Sequence, residues 1–145
     1  MYIGKISEPT DQLFQALRRL IPQLGSHKDV PSHEELKALV QAPGSTLLVA
    51  REPDENGEII GILSLTVYRV PTGVRSIIED VVVDEHMRRR GVGEALVRHA
   101  IELARQAGAS GVALTSNPQR KAANRLYQAL GFELRKTNPY FYQLK

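Results

Sequence analysis

Apolar positions change their period along this chain, and each change predicts an element. Tyr2 to Ser7 reads as a short strand. From Asp11 to Leu24 the apolar residues fall at 13, 14, 17, 20, 21 and 24, the spacing of one helix face, with Thr10 or Asp11 as its cap. Pro22 has no N–H to donate, so that helix bends or ends there. Gly25 to Pro31 is a polar loop. Ser32 and Glu35 have the spacing of a capping box opening a helix over 34–41, which Pro43-Gly44 stops. Three strand-like runs follow, 46–51, 59–70 and 75–83, joined by turns at 53–57 and 71–73. Residues 91–106 return to helical spacing, with Leu96, Val97, Ala100, Leu103 and Ala104 on the inner face and Gly108 just past the end. Gly111 to Thr115 reads as a buried strand parallel to 77–83, which would make one βαβ unit. A helix over 119–130 ends at Gly131, and Phe132–Lys136 and Tyr140–Leu144 form a last hairpin around Asn138-Pro139.

The junction at Arg88-Arg89-Arg90-Gly91-Val92-Gly93 carries the most chemistry. It leaves the apolar run Ile77 to Val83 and opens the central helix. Glycine lets a ligand approach the main chain closely and tolerates unusual backbone angles. A helix start adds unpaired N–H groups and the positive end of the macrodipole. With three arginines, strand, turn and helix together predict a site for a polyanionic group. There is no Gly-x4-Gly-Lys-Ser/Thr, which argues against a nucleotide-hydrolysing P-loop, and the third glycine of a dinucleotide fingerprint is replaced by Leu96.

Composition narrows the choice. The 145 residues suit one domain, at 42% apolar and 24% charged an ordinary globular chain. The lack of cysteine removes disulfides and thiolate nucleophiles and suits a reducing cytoplasm. No apolar run approaches the ~20 residues of a membrane span, and the first residues lack a signal-peptide layout, so neither membrane nor export is expected. The net charge is +3 and the pI about 9.3, but three of those charges sit in the glycine turn. A local cofactor site accounts for them better than nucleic-acid binding, for which no second basic run or aromatic-rich strand is present. His27, His33, His86 and His99 lack metal-ligand spacing, so no metal is expected. Ser64 and Ser116 have no histidine partner implied, so a Ser-His hydrolase is not supported.

Arg-x-x-Gly-x-Gly after Val81-Val82-Val83 and before Leu96-Val97 resembles the coenzyme A pyrophosphate loop of the GNAT superfamily of N-acetyltransferases. Ala123-x-x-Leu126-Tyr127 followed by Gly131-Phe132 resembles that superfamily's later motif. The order β-α-α-β-β-β-α-β-α-β-β is also that of the GNAT fold, an α/β (α+β) architecture with a mostly antiparallel mixed sheet around a βαβ unit.

The resemblance implies acetyl-CoA as cosubstrate, held at Arg88, Arg89, Arg90, Gly91, Val92, Gly93 and Glu94 through its pyrophosphate. It implies that the strand before the loop splays from its parallel neighbour at a bulge. Main-chain groups of Val81, Val82 and Val83 would then pair with the pantetheine arm like an added strand, and one N–H would meet the developing oxyanion. Glu79 stands where a general base is often found, with Asp80 the second choice. Successive strand residues face opposite sides unless a bulge intervenes, and partial burial would raise the pKa of Glu79 usefully. A structural pairing of Glu79 with Arg75 is the plainer alternative. Tyr127 occupies the place of a general acid for the leaving thiolate, with simple packing as its alternative. The sequence departs from the pattern seven residues before that tyrosine, where Arg120 replaces the frequent asparagine. Asn117 and Asn124 flank it, so Asn117, Arg120 and Asn124 are all candidates for cofactor contact.

The expected activity is acetyl transfer to a primary amine by direct attack in a ternary complex. The acceptor is a small molecule or a peptide or protein amine, and monomer and homodimer both remain open. Two other readings stand beside it. A non-catalytic acyl-CoA sensor of the same fold would bind cofactor without releasing thiol. A small basic nucleic-acid-binding domain would bind oligonucleotides salt-sensitively.

Overall fold

A computed structural model describes residues 1–144. The chain divides into two compact units, residues 1–115 and 116–145. The first carries β1 (Tyr2–Ile6), α1 (Asp11–Leu20), α2 (His33–Gln41), β2 (Ser45–Glu52), β3 (Glu58–Val70), β4 (Gly73–Val83), α3 (Val92–Gln106) and β5 (Val112–Ala113). The second carries α4 (Lys121–Ala129).

Local chemistry explains the helix boundaries. The Thr10 hydroxyl accepts the N–H of Leu13, and Pro22 sits at the start of a 3-10 turn, Ile21–Gln23, that takes over from α1. Both halves of the Ser32–Glu35 capping box are present, each hydrogen bond near 3 Å. Gly91 enters α3 at φ 79°, and Gly108 leaves it at φ 81°. Only a residue without Cβ takes such angles freely.

The five strands lie in sequence order. β1 to β4 pair antiparallel and β4 pairs parallel with β5. Both faces of the central strands are buried. Leu47, Val49, Ile62 and Val82 join Leu13, Leu17, Leu20 and Leu36 of α1 and α2 in one cluster. Alternation turns Leu48, Leu63 and Leu65 to the other face, where α3 contributes the buried Val92, Leu96, Val97, Ala100 and Ala104. Gly61 lies on that side. A Cβ there would meet Leu96 Cδ1 at 3.2 Å, Val92 Cγ1 at 3.3 Å and the Val82 carbonyl at 3.1 Å, so this glycine lets α3 sit close to the sheet.

A bulge interrupts β4. Ser64 pairs with Glu79 and Ile62 with Val82, so Leu63 alone faces both Asp80 and Val81. Asp80 absorbs the extra residue at φ 51° in the left-handed region. Aspartate tolerates that region better than most residues.

Three expectations are corrected. The strand read over 111–115 is only Val112–Ala113, and it is partly exposed rather than buried, because it is the outermost strand of the five. Among the described residues no strand follows it. The segments read as a final hairpin, 132–136 and 140–144, have no ladder, and Leu134, Tyr140, Phe141, Tyr142 and Leu144 are exposed. Their alternation is a side-chain pattern; it does not supply the partner backbone that a strand requires. The last helix is also shorter than read, with Arg120 as its N-cap.

The bulge can be tested through its one strained residue. Asp80→Gly should keep the fold at equal or higher stability in urea unfolding. Asp80→Val should lose about 1–2 kcal/mol or more, since a β-branched residue resists the left-handed region.

Candidate functional site

The candidate residues divide between the two units. In the first, β4 carries Glu79 to Val83. Its ladder with β5 consists of Ser76↔Val112 and Ile77↔Ala113. Among the described residues, the strand from Ile78 to Val83 therefore has a strand partner on one side only, β3. Val82 is buried while Val81 and Val83 are half-buried, so packing holds the side chains while main-chain groups on the other edge are left without a ladder.

Glu79 and Asp80 are both exposed. The partial burial expected around Glu79 is not found: it pairs with Ser64 just before the bulge, and the bulge turns Asp80, the next residue, outward beside it. Arg75 donates to the Thr72 hydroxyl at 2.8 Å. Among the described residues, no ion pair within 4.0 Å involves either carboxylate, which removes the structural pairing with Arg75. Two free carboxylates stand side by side where β4 loses its parallel neighbour.

The loop after β4 holds the other cluster. Arg88, Arg89 and Arg90 are exposed, and Arg88 Nε donates to the Val83 carbonyl at 3.2 Å. Arg89 lies at φ 65° and Gly91 at φ 79°. No side chain caps the first turn of α3. A Cβ on Gly91 would meet nothing within 4 Å, so the glycine is required by its backbone angle and leaves open space over the loop. Gly93 lies inside α3, where no unusual backbone angle requires a glycine. Val92 is buried and anchors the helix start, while Glu94 pairs along the helix with Arg98. Three exposed guanidinium groups, uncapped N–H groups and a helix dipole fit a polyanion such as a pyrophosphate.

The loop is fixed by residues that sequence reasoning missed. Asp84, 7% exposed, follows β4 directly. Its N–H donates to the Ile60 carbonyl at 2.8 Å and its carboxylate accepts Arg19 Nε at 3.0 Å. The Arg19 guanidinium also donates to the Ile59 carbonyl and lies 3.6 Å from Glu58. Gln23 accepts the N–H of Glu85 at 3.0 Å. Burial raises the Asp84 pKa, but the His86 N–H, the Arg19 guanidinium and Gln23 outweigh it and hold the group below the ordinary aspartate value. The only sequence signal was an acid ending a valine run. The partner stands 65 residues away and has no periodic signature.

In the second unit, Asn117 accepts the N–H of Gln119 at 2.9 Å through its side chain. Asn124 donates to the carbonyls of Asn117 and Arg120 at 3.0 and 2.9 Å, so its amide hydrogens brace the turn before α4. Tyr127 is buried, edge-on to Phe132 with ring centroids 5.9 Å apart. Burial pushes its pKa up, and the Arg120 charge opposes that push. The phenol is thus held protonated through neutral pH, with a cation near enough to act on it.

The sequence model of the acetyltransferase (GNAT) family matches residues 10–132. N-acetyltransferase family 8 member 3 of Rattus norvegicus is 33% identical over 91 residues, 61% of this chain and 39% of its own length. A Bacillus subtilis (strain 168) protein named uncharacterized N-acetyltransferase YhfO is 34% identical over 100 residues, 68% of this chain and 65% of its own. The matched stretch is thus about two fifths of the rat relative's length and just under two thirds of the bacterial one's. Among solved structures, a Trypanosoma brucei acetyltransferase superposes with a TM-score of 0.78 at 25% identity, covering 98% of this chain and 99% of that one. The aminoglycoside acetyltransferase meta-AAC0020, from an uncultured soil metagenomic sample and in complex with trehalose, reaches 0.84 at 21% identity over 99% and 96%, a likeness of fold.

The Asp84 assignment predicts a pH signature. A carboxylate held below its unfolded value of 3.8 contributes stability that is full above that value and fades as pH falls through the lower folded one. Wild type should therefore lose more stability than Asp84→Asn between about pH 5 and pH 3 in parallel urea titrations. Equal losses would remove the assignment.

Proposed function

The chain belongs to the acetyltransferase (GNAT) family, and from that premise we propose that residues 1–145 act as a single N-acetyltransferase domain, moving an acetyl group from acetyl-CoA to a primary amine. The observation that carries the reading is the loop over 88–94. It combines left-handed backbone at Arg89 and Gly91, three exposed arginines and an uncapped helix start directly after a strand with one free edge. Strain of this kind persists where surrounding structure enforces it, often at ligand sites.

In this proposal Arg88, Arg89 and Arg90, with the main chain of Gly91, Val92, Gly93 and Glu94, hold the pyrophosphate. Main-chain groups of Val81, Val82 and Val83 pair with the pantetheine arm, and an N–H of that run stabilises the oxyanion. Asn117, Arg120 and Asn124 are the proposed contacts from the second unit, Asn124 through its carbonyl oxygen. Acetyl-CoA supplies an activated thioester. Glu79 takes the proton that the acceptor nitrogen loses as the new C–N bond forms, with Asp80 as the alternative base. Tyr127 gives its proton to the sulfur as the C–S bond breaks. Exposure of the two carboxylates supports the first role, since a soluble amine has to reach its base. The raised pKa of Tyr127 supports the second, because a general acid has to arrive protonated. Without cysteine no thioester enzyme forms, so the amine attacks directly in a ternary complex. The acceptor is a primary amine on a small molecule, peptide or protein, and the proposed location is the cytoplasm. A screen of amines with acetyl-CoA, detecting free thiol, tests the reading. CoA binding without amine-dependent thiol release would leave the sensor in its place.

Two variants sharpen the test. Gly93→Val should abolish CoA binding in calorimetry with the helical dichroism intact. Tyr127→Phe should lower turnover by roughly 10²-fold with little change in acetyl-CoA affinity, and Glu79→Gln should flatten the acidic limb of the pH–rate profile. Unchanged turnover in Tyr127→Phe would leave that side chain a packing role.

A further inference from the structure

The loop over 88–91 contains two left-handed residues, Arg89 and Gly91, and only one of them is glycine. A backbone held that way needs both ends fixed. At its far end Val92 is 2% exposed and packs into the α3 face of the sheet. At its near end the fixing is polar. Asp84 is tied by its own N–H to Ile60. Its carbonyl accepts the N–H of Met87 at 2.8 Å, and its carboxylate receives the His86 N–H and Arg19 Nε. Gln23 holds the next residue, Glu85, by its N–H. Arg19 and Gln23 both come from the C-terminal end of α1 and the turn that continues it. The Arg19 fork reaches the Ile59 carbonyl with its other arm, so one guanidinium joins α1, the start of β3 and the end of β4.

Charge gives the contact a second effect. Asp84 is an anion four residues before Arg88, the first arginine of the loop. Without Arg19 its carboxylate would stand largely desolvated beside a site that attracts anions, repelling them and lacking its partner.

We propose that Arg19 is a positioning residue: through Asp84 it fixes the near end of the 88–91 loop and thereby sets the affinity of the site for its polyphosphate ligand. The ligand part rests on the acetyl-CoA reading above; the loop part does not. Arg19 itself touches no ligand in this account. Its guanidinium is occupied by Asp84, Glu58 and Ile59. Lysine cannot replace it fully, since an ammonium lacks the planar fork that spans a carboxylate and a carbonyl together.

The test uses the full chain with Arg19→Met, Arg19→Lys and the neutral pair Arg19→Met/Asp84→Asn. Amide hydrogen exchange reads the loop directly. Exchange over 88–94 should accelerate in Arg19→Met while β2 and β3 stay as protected as in wild type, and Arg19→Lys should recover part of the difference. With acetyl-CoA and an accepted amine, KM for acetyl-CoA should rise by about tenfold with kcat at saturation within about twofold, the signature of lost ligand positioning rather than lost chemistry. If Arg19→Met does not fold, the neutral pair carries the test, because it leaves no unpaired carboxylate, and the same exchange and KM changes are expected. A folded variant whose 88–94 exchange equals wild type overturns the proposal, whatever CoA does. A wild type that binds no CoA, with faster loop exchange in the variants, would remove the acetyl-CoA reading and uphold the positioning role.

Discussion

Between Ile62 and Ser64 the third strand offers one residue, Leu63, where the fourth offers two, Asp80 and Val81. A shift of one residue exchanges the faces to which all later side chains of a strand point. Before the bulge Ile78 pairs with Leu65 and turns to the α3 side. After it, Val82 pairs with Ile62 and joins the cluster formed by α1 and α2. Four residues apart, the two would share a face in a regular strand. The bulge thus lets one strand serve both layers, and it brings Glu79 and Asp80 out together where regular alternation would send one of them inward. The candidate base, the free edge of β4 and the direction in which the chain enters the arginine loop all follow from this extra residue.

The same strand shows how backbone strain is distributed. Asp80 and Arg89 are the two positive-φ residues other than glycine among those described, at 51° and 65°. They flank the segment from the bulge to the loop, and the packing of Val82 and the polar ties of Asp84 lie between them. Outside this segment, positive φ among the described residues occurs only at glycines, which adopt it freely. The part of the chain proposed to meet the ligand is therefore held least by local preference and most by its surroundings.

Much of the architecture was legible because side-chain pattern reports it. The 3.6-residue spacing of Leu13, Leu17 and Leu20, the Ser32–Glu35 box and the glycines bounding α3 each act within a few residues, and the structure has each in place. The turn at 88–93 was legible for the same reason. The helix was read from Gly91, which is instead the N-cap of α3, since a helix's first residue depends on backbone angle more than on residue type. The left-handed angle of Asp80 follows from a register shift against β3, which residues 77–83 do not encode by themselves. Arg19 and Asp84 were invisible because their attraction depends on the tertiary path of α1. The tail after Gly131 alternates like a hairpin, yet strands need partner backbone and not only pattern.

Gly61 has a consequence for how the anion site can vary. Its missing side chain lets the first turns of α3 settle against the sheet, with Val92 and Leu96 where a methyl would otherwise press. A methyl there would act as a shim behind the helix. Val92 and Leu96 would have to give by a few tenths of an ångström, and whatever part of that the helix takes up would move its uncapped N–H groups. Charge-assisted hydrogen bonds to an anion fall within a range of only about 0.2 Å, so a displacement of that size matters. The position of the loop therefore depends also on a buried residue of a neighbouring strand, apart from the arginines and glycines proposed to face the ligand.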